Sequence, residues 1–571
     1  SITQSGSWDI TGANTTYLNA IGGSIILNNI TNDFVGAIHA NATYDIEIYN
    51  SNSTVLGNVT GVNFQFISAG GSITQIANSS LLISGTTNLT ASGNTITLNS
   101  PTNNFNGNVS AFAADIALRD SNAIQFGQIR TTGNLTITSA GAISQPSGNV
   151  ITGGTANFIT SGTGVNGNIT LDSSTNDFNI LTACGTNLTL AEQNNATLNN
   201  ILISGTVNIT AANVATINSP YSAANTVVSG GTVVTSSQLS TNLTVSGGTA
   251  NILTGGNVTG SAILSSGSLI SNGSFGSLSL NGGTLYTTSN GTLVRGNLAF
   301  GAGSTWNATG PSKANFSMIS VNGGVSINSG AILTLTVPGN MSYPEGLTLI
   351  NQSGSSLISQ TSGFSGLPQG SFFTSNNTAL QINYNGQAGN YTANSSGNDL
   401  IVRLSTRFID VMTQCLTTTA NSSFAGGLKF RVVGGAGNST VVANVPITII
   451  LPANVNNSNT ASGRFDNANA ANRSITVYTD SNGNATVPIW ANENPGPFQV
   501  NITQADDTSI TNYPFMGVIG VAVQQQSRNR SFVRYMDVVL DSSNLTALNA
   551  NTTNFLANFT LTRTRSASIS G

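Results

Sequence analysis

The sequence predicts an all-β fold, a parallel β-helix (a β-solenoid) followed by a smaller β region. Three observations carry that expectation. Short segments alternate apolar and polar residues, as Leu135 and Ile137 do against Asn134, Thr136 and Thr138. The 571 residues include 63 Gly and 13 Pro with abundant Asn, Ser and Thr, which is turn and strand material and poor for helices. Sequence markers also recur at one fixed spacing, the signature of stacked repeats.

The markers define the first element. Ser1-Ile2-Thr3-Gln4 recurs as Ser72-Ile73-Thr74-Gln75 and, weakened, as Ala142-Ile143-Ser144-Gln145. Thr31-Asn32-Asp33-Phe34 recurs as Thr102-Asn103-Asn104-Phe105 and as Thr175-Asn176-Asp177-Phe178. Asp45-Ile46-Glu47-Ile48 answers to Asp115-Ile116-Ala117-Leu118. All offsets are about 70 to 73 residues, so three markers agree on one period.

Within a period the chain reads as short strands between Gly, Asn and Ser punctuation, such as Asn94-Thr95-Ile96-Thr97-Leu98, Asn208-Ile209-Thr210 and Asn242-Leu243-Thr244-Val245. One strand with two or three inward aliphatics makes no core alone. Stacked rungs do, because each buries its inner side chains against the rungs above and below. A period near 71 holds about three or four rungs of roughly 20 residues. A string of separate sandwich domains, which also shows regularly spaced strands, is the competing architecture.

The unit running from Gly71-Ser72-Ile73-Thr74-Gln75 through Thr102-Asn103-Asn104-Phe105-Asn106-Gly107 and Gly133-Asn134-Leu135-Thr136-Ile137-Thr138 to Ala142-Ile143-Ser144-Gln145 resembles the β-strand repeats of filamentous-haemagglutinin-like and autotransporter-passenger surface proteins. The resemblance covers residues 1–225 and implies a right-handed parallel β-helix. Residues 226–403 are more degenerate. Their ending, Phe364-Ser365-Gly366-Leu367-Pro368-Gln369-Gly370, then Leu380-Gln381-Ile382-Asn383-Tyr384 and Asn398-Asp399-Leu400-Ile401-Val402, resembles the closing segment of such passengers.

Near residue 404 Arg and Asp become commoner and the repeat fades. Alternating strands follow over Phe424–Val433, Val445–Ile450, Ser474–Pro488 and Phe498–Thr503, with Asn482-Gly483 as a tight-hairpin signal between two of them. This order resembles the bacterial Ig-like β-sandwich domains of invasin/intimin type and places one over 404–505. Residues 506–571 carry further strand patterns without a family likeness, and are expected to be assembly strands.

Composition limits the chemistry. With 15 Lys+Arg and 19 Asp+Glu, the chain is 6% charged, so no cation cluster exists to displace phosphate counterions and nucleic acid is excluded as a partner. There is no apolar run of about 18 residues and hence no transmembrane segment. Ser1 reads as a mature, exported N-terminus. A β-helix enzyme would need neighbouring carboxylates or basic groups. The single histidine is His39, the lysines are Lys313 and Lys429, and the acids Asp33, Asp45, Glu47, Asp115, Asp120, Asp172, Asp177 and Glu192 are scattered along the repeat. Asp33, Asn104 and Asp177 share one repeat position, which reads as turn chemistry. No enzymatic activity, metal or cofactor is expected. Asp480-Ser481-Asn482-Gly483-Asn484 is read as a turn, not a calcium loop, because its Gly falls two places early for an EF-hand.

Sequons are the densest motif: about 34 Asn-x-Ser/Thr sites occur where composition alone gives roughly 20. Candidate glycan sites are Asn14, Asn58, Asn88, Asn134, Asn187, Asn208, Asn257, Asn307, Asn340, Asn390, Asn438, Asn472, Asn501 and Asn544. In Asn-Leu-Thr on a strand, Leu points inward while Asn and Thr share the outer face. The competing reading is structural, since outward Asn ladders hydrogen-bond along any stack. Cys184 and Cys415 are a possible disulfide, with two buried free thiols as the alternative.

Ser1 begins mid-repeat, at the phase of Ser72, which suggests an open rung suited to β-addition. The expected function is a structural subunit of an extracellular filament, sheath or surface layer (S-layer), a cell-surface glycoprotein self-assembling as a homo-oligomer or polymer through rung or strand contacts. The alternative is an adhesin, a solenoid stalk binding cells or carbohydrate. Trp8, Trp306 and Trp490 are too dispersed to nominate a binding patch.

Overall fold

Ile2, Ile25, Ile46 and Phe64 lie level with one another on four successive parallel strands. In the computed structural model, residues 1–519 are described apart from Ser7, 162–163, 219, 289–290, 338–345, 355, 359–362, 376–377, 388–396, 406–407, 414–415, 435–439, 453–460, 466–471, 495, 506 and 513–514. The series begun by Ile2 continues through Thr87, Val109 and the strand Ile124–Thr131 to Ile143. A second face carries Thr16, Ile38, the strand Thr54–Gly61, then Ile73, Ile96, Ile116 and Leu135. The result is a β-solenoid of about 16 turns and roughly 20 residues per turn, joined in a single 38-stranded sheet.

Those registers fix what the repeat means in space. Ile2 and Ile143 belong to one face, seven turns apart, whereas Ile73 belongs to the other. One 71-residue unit is thus about three and a half turns, and each unit is rotated by about half a turn from the one before. Successive units therefore present their equivalent residues on alternate faces.

Period-two alternation holds along the walls. Leu135, Ile137 and Ser139 point inward and are buried, while Thr136 and Thr138 face out. The same inward pattern runs through Ile46–Asn50 and Phe64–Ser68. Each buried aliphatic contributes about 1.5–3 kcal/mol relative to exposure, and it does so only because turns above and below cover it. Aromatic rings pack inside as well: Phe158 lies tilted 6.2 Å from Phe126 and edge-on 6.0 Å from Phe178.

The solenoid extends past residue 225 without a break in the ladder. Parallel pairing runs on to Ile319–Val321 against Gly346–Gln352, and then the direction changes. Gly346–Gln352, Asp399–Leu404, Thr378–Gly386 and Phe372–Ser375 pair antiparallel and finish the sheet. Trp306 is fully buried there, stacked 5.4 Å from Phe300, and its indole N–H donates to Thr287 Oγ1 at 2.8 Å. Phe364 packs edge-on against Phe300 at 5.2 Å, and Tyr384 donates its hydroxyl to Leu367 O at 2.7 Å.

Beyond the solenoid the described strands make smaller sheets. Leu428–Gly434 pairs antiparallel with Phe408–Val411, Thr440–Val441 and Asn484–Val487. Pro446–Ile450 pairs with Ser474–Tyr478 and Asn501–Gln504. The hairpin expected at Asn482-Gly483 is corrected. Its flanking strands, Ser474–Tyr478 and Asn484–Val487, join different sheets, and the turn is closed by Asp480 Oδ1 accepting from the N–H groups of Asn482 and Asn484, both at 2.9 Å.

Candidate functional site: asparagine corners and buried amides

At one corner of the solenoid, each turn hands a side-chain oxygen to the main chain of the next. Asn63 Oδ1 accepts from Thr86 N at 2.9 Å, Asn134 Oδ1 from Thr155 N at 3.0 Å, Asn187 Oδ1 from Thr206 N at 2.7 Å and Asn242 Oδ1 from Ser261 N at 3.0 Å. The oxygen caps a backbone donor that no strand partner reaches, as an N-cap residue does for a helix. The residue before each capped amide is glycine for a steric reason. A β-carbon on Gly85 would stand 2.4 Å from Asn63 Oδ1, and one on Gly205 would stand 2.4 Å from Asn187 Oδ1. Gly133-Asn134-Leu135-Thr136 shows the logic of the texture: Gly133 makes room for Asp115 Oδ1 in the turn below, Asn134 caps the turn above, Leu135 fills the interior and Thr136 faces out.

Inside, a second device links two of the sequence markers. Gln75 Nε2 donates to Asn103 Oδ1 at 2.6 Å while Asn103 Nδ2 donates to Gln75 Oε1 at 3.0 Å. The same reciprocal pair joins Gln4 to Asn32, at 2.7 and 2.9 Å, and Gln145 to Asn176, at 2.7 and 3.0 Å. Asn32, Asn103 and Asn176 are buried and also donate to Leu27, Leu98 and Leu171 carbonyls, each at 3.2 Å. These asparagines hold the turn. Asp33 and Asn104, expected to do so, instead begin short strands and accept from the next turn, Asp33 Oδ1 from Asn52 at 2.9 Å and Asn104 Oδ1 from Asn122 at 2.8 Å. Sequence reasoning had both markers but not their contact, although their threefold joint recurrence was the available signal.

The sequon asparagines separate into classes. Asn14, Asn58, Asn88, Asn134 and Asn472 are exposed; Asn187, Asn208, Asn257, Asn307 and Asn501 are half-buried. In the solenoid sequons Asn88-Leu89-Thr90 and Asn134-Leu135-Thr136 the middle residue is buried, as the alternation requires. Asn187 uses both ends of its amide, since Nδ2 also donates to Asn168 Oδ1 at 2.8 Å. Asn257 Oδ1 takes hydrogen bonds from Ser274 Oγ at 2.9 Å and Arg295 at 2.5 Å. Asn501 Oδ1 accepts from Thr503, two residues on, at 2.8 Å. Asn340, Asn390, Asn438 and Asn544 lie outside the described residues, as does Cys415. Cys184 faces outward and is exposed, which corrects the buried-thiol alternative for that residue, because Ala183 takes the inward position beside it.

Charged groups are few and mostly exposed. Among the described residues the buried exceptions are Asp120 and Glu192, each 1% exposed, and Asp399, 3% exposed. Burial pushes the Asp120 carboxyl up to about 6 and the Glu192 carboxyl up to about 7, against main-chain N–H bonds that pull both down. Burial likewise raises the Tyr221 and Tyr384 hydroxyls, the latter to about 12. His39 stacks on Tyr17 at 4.7 Å and accepts at Nδ1 from Asn58 N at 3.1 Å, so it belongs to an outer ladder. Trp8 is 82% exposed and Trp306 is core. Among the described residues no three His, Cys, Asp or Glu side chains gather as a metal site, and no helix is long and apolar enough to cross a membrane. A shallow groove of about 490 Å³ crosses four turns, with Gly256 and Gly273, Asn257 and Asn272, Met318 and Arg295 among its walls. Its guanidinium already donates to Asn257 Oδ1 within the same wall, at 2.5 Å.

Residues 1–41, 40–112 and 113–183 match a family described as repeats of unknown function (DUF5649). The matched stretch is the part of the chain in which the Gln–Asn pair recurs. No curated protein matches the chain.

Proposed function

We propose that the chain is a structural subunit of an extracellular filament, sheath or surface layer, non-catalytic, N-glycosylated at outward asparagines and polymerising with itself through rung contacts. The observation that carries this reading is the ladder itself: about 16 turns joined by parallel pairing, a rod of roughly 75 Å at the ~4.8 Å spacing of paired strands. A parallel ladder repeats the same hydrogen bonds at every step, so the contact that joins one turn to the next is of the kind that joins one copy to another. In the same reading the solenoid winds right-handed, as in filamentous-haemagglutinin-like and autotransporter-passenger surface proteins, and the sheets of 404–505 form an Ig-like sandwich that acts as a spacer. The groove beside Arg295 favours the second reading, an adhesin stalk that binds carbohydrate through its side wall. Negative-stain electron microscopy of the purified chain separates them. Ordered polymers support the structural subunit; isolated rods at every concentration overturn it and leave the adhesin, to be tested by glycan-array binding with Arg295→Ala as control.

A further inference from the structure

Phe112 and Tyr286 turn aromatic rings outward from the middle of the solenoid wall. Phe112 is 39% exposed, the one exposed phenylalanine among the described residues, and Tyr286 is 37% exposed. Each ring stands beside a sequon. Phe112 is level with Thr90, and Ser110, two residues before it on the same face, is level with Asn88, so Asn88-Leu89-Thr90 runs alongside the ring in the adjacent turn. Tyr286 is level with the asparagine of Asn307-Ala308-Thr309. Leu89 and Ala308 are buried, which turns the asparagine of both sequons to the outer face. Among the described residues the side-chain amides of Asn88 and Asn307 and the hydroxyl of Tyr286 have no hydrogen-bond partner, whereas Asn134 and Asn187 cap the next turn. We propose that Phe112 and Tyr286 are seats for the first sugar of N-linked glycans on Asn88 and Asn307, an N-acetylhexosamine laid flat against the wall; the inference rests on the glycosylation proposed above and adds where the glycan goes.

The surroundings select a sugar over a protein partner. Phe112 is level with Arg130 on one side, whose guanidinium carbon lies 6.0 Å from the ring centroid, and with Thr90 on the other. It is a lone ring between polar residues, far short of the apolar patch of several hundred Å² that a protein partner covers. Arg130 takes one side of the ring and leaves the side towards the sequon. A pyranose has C–H groups on one face and hydroxyls around its rim. The C–H face suits the electron-rich face of an aromatic ring, and the hydroxyls of Ser110 and Thr90 stand where they can bond the rim. Tyr286, level with Ile270 and Asn307, adds its own hydroxyl to the second seat. The sugar is tethered by its bond to the asparagine Nδ2, so a contact too weak to hold a free saccharide suffices here.

The test uses the full chain from a host that attaches glycans with an N-acetylglucosamine core. The folded protein is treated with an amidase that cleaves the asparagine–sugar bond, and release is followed site by site by glycopeptide mass spectrometry. A seated sugar must leave its ring before the enzyme reaches that bond. We expect Phe112→Leu, which keeps apolar bulk without an aromatic face, to speed release at Asn88 by about 2–10-fold, the worth of one aromatic contact. Phe112→Tyr should leave release slow. Tyr286→Leu should act in the same way at Asn307, and Tyr286→Phe should not. Both rings are exposed, so these variants leave the core intact. Asn134 is the internal control: Thr136 beside it is level with Ala117 and Asn157, which carry no ring, and release there should be the same in every chain. Equal release from the natural and Leu chains, with the sugar present, overturns the seats and leaves the glycosylation standing. Bare Asn88 and Asn307 overturn the seats and the glycosylation of these sites together. Faster release at Asn134 as well would show a loosened wall and would also overturn the seats.

Discussion

Gln75 and Asn103 hold each other by two opposed amide hydrogen bonds, 2.6 and 3.0 Å, from adjacent turns of the solenoid. Asn103 also accepts from Leu81 N at 3.0 Å and donates to Leu98 O at 3.2 Å, so one buried side chain closes two main-chain groups that no strand partner reaches. Asn103→Ala strands both of them in the interior. The expected cost is about 2–4 kcal/mol, most of it desolvation of unpaired groups. Gln75→Ala leaves Asn103 its two main-chain partners and should cost less. Native-state hydrogen exchange followed by mass spectrometry checks this: the peptide containing Leu81 should lose protection in the Asn103 variant. Protection equal to the natural chain would refute the role given to the pair.

Gly85 and Asn63 test the corner. Gly85→Ala puts a β-carbon 2.4 Å from Asn63 Oδ1 and 3.0 Å from Val62 O, and should cost about 2–3 kcal/mol. Asn63→Ala alone removes the cap on Thr86 N, for about 1 kcal/mol. The two changes together should cost less than their sum, because the side chain that the new methyl meets is gone. By contrast, Gly93→Ala meets nothing within 4 Å and bears only the strain of its φ of +71°, about 1 kcal/mol. Urea unfolding of the four variants gives the coupling, and strict additivity of the Gly85 and Asn63 changes would remove the steric explanation.

Much of the fold was legible because its signals are local or periodic. Leu135 and Ile137 declare an inward face by alternation alone, and the markers gave the repeat length. The half-turn between units was not legible: spacing measures chain length, whereas the angle depends on how many residues one turn consumes, which only the registers of Ile2, Ile73 and Ile143 show. The Asn482-Gly483 turn was read correctly as a turn, but which sheets its strands join is a long-range fact. At the site, outward sequons were readable from strand parity. Asp120 and Glu192 passed as scattered acids although alternation from Ile116 and Leu118, and from Leu188 and Leu190, puts each at an inward position, and their kinship with Asn50, as acceptors from the marker phenylalanine N–H, needs the repeat aligned residue by residue.

Trp306 offers an optical check on how the solenoid ends. It is 0% exposed, stacked on Phe300 and bonded to Thr287, whereas Trp8 is 82% exposed. Acrylamide quenching of the tryptophan fluorescence should resolve an accessible and a protected component. Trp306→Phe should abolish most of the protected component, and should also destabilise the chain by about 1–3 kcal/mol through the lost ring area and the orphaned Thr287 hydroxyl. Uniform quenching in the natural chain would mean that this interior is open.

Glycan occupancy should follow the geometry of the amide and not the motif alone. A transferase needs Nδ2, while the cap needs Oδ1, and the glycosylated amide keeps its carbonyl oxygen. Asn58 and Asn134 are exposed and engage their neighbours through Oδ1, to Ser80 N at 2.9 Å and Thr155 N at 3.0 Å, so they can carry a glycan and still cap the next turn. Asn14 and Asn88 are exposed as well. Asn187 is half-buried with Nδ2 bound to Asn168, and Asn257 is half-buried beneath Arg295. Glycopeptide mass spectrometry of chain purified from a glycosylating host should therefore find high occupancy at Asn14, Asn58, Asn88 and Asn134 and low occupancy at Asn187 and Asn257. Glycosylation that acts before the turns stack would give the opposite result, even occupancy across all six. A chain carrying no glycan at any of them would show that the asparagines are there for the ladder alone.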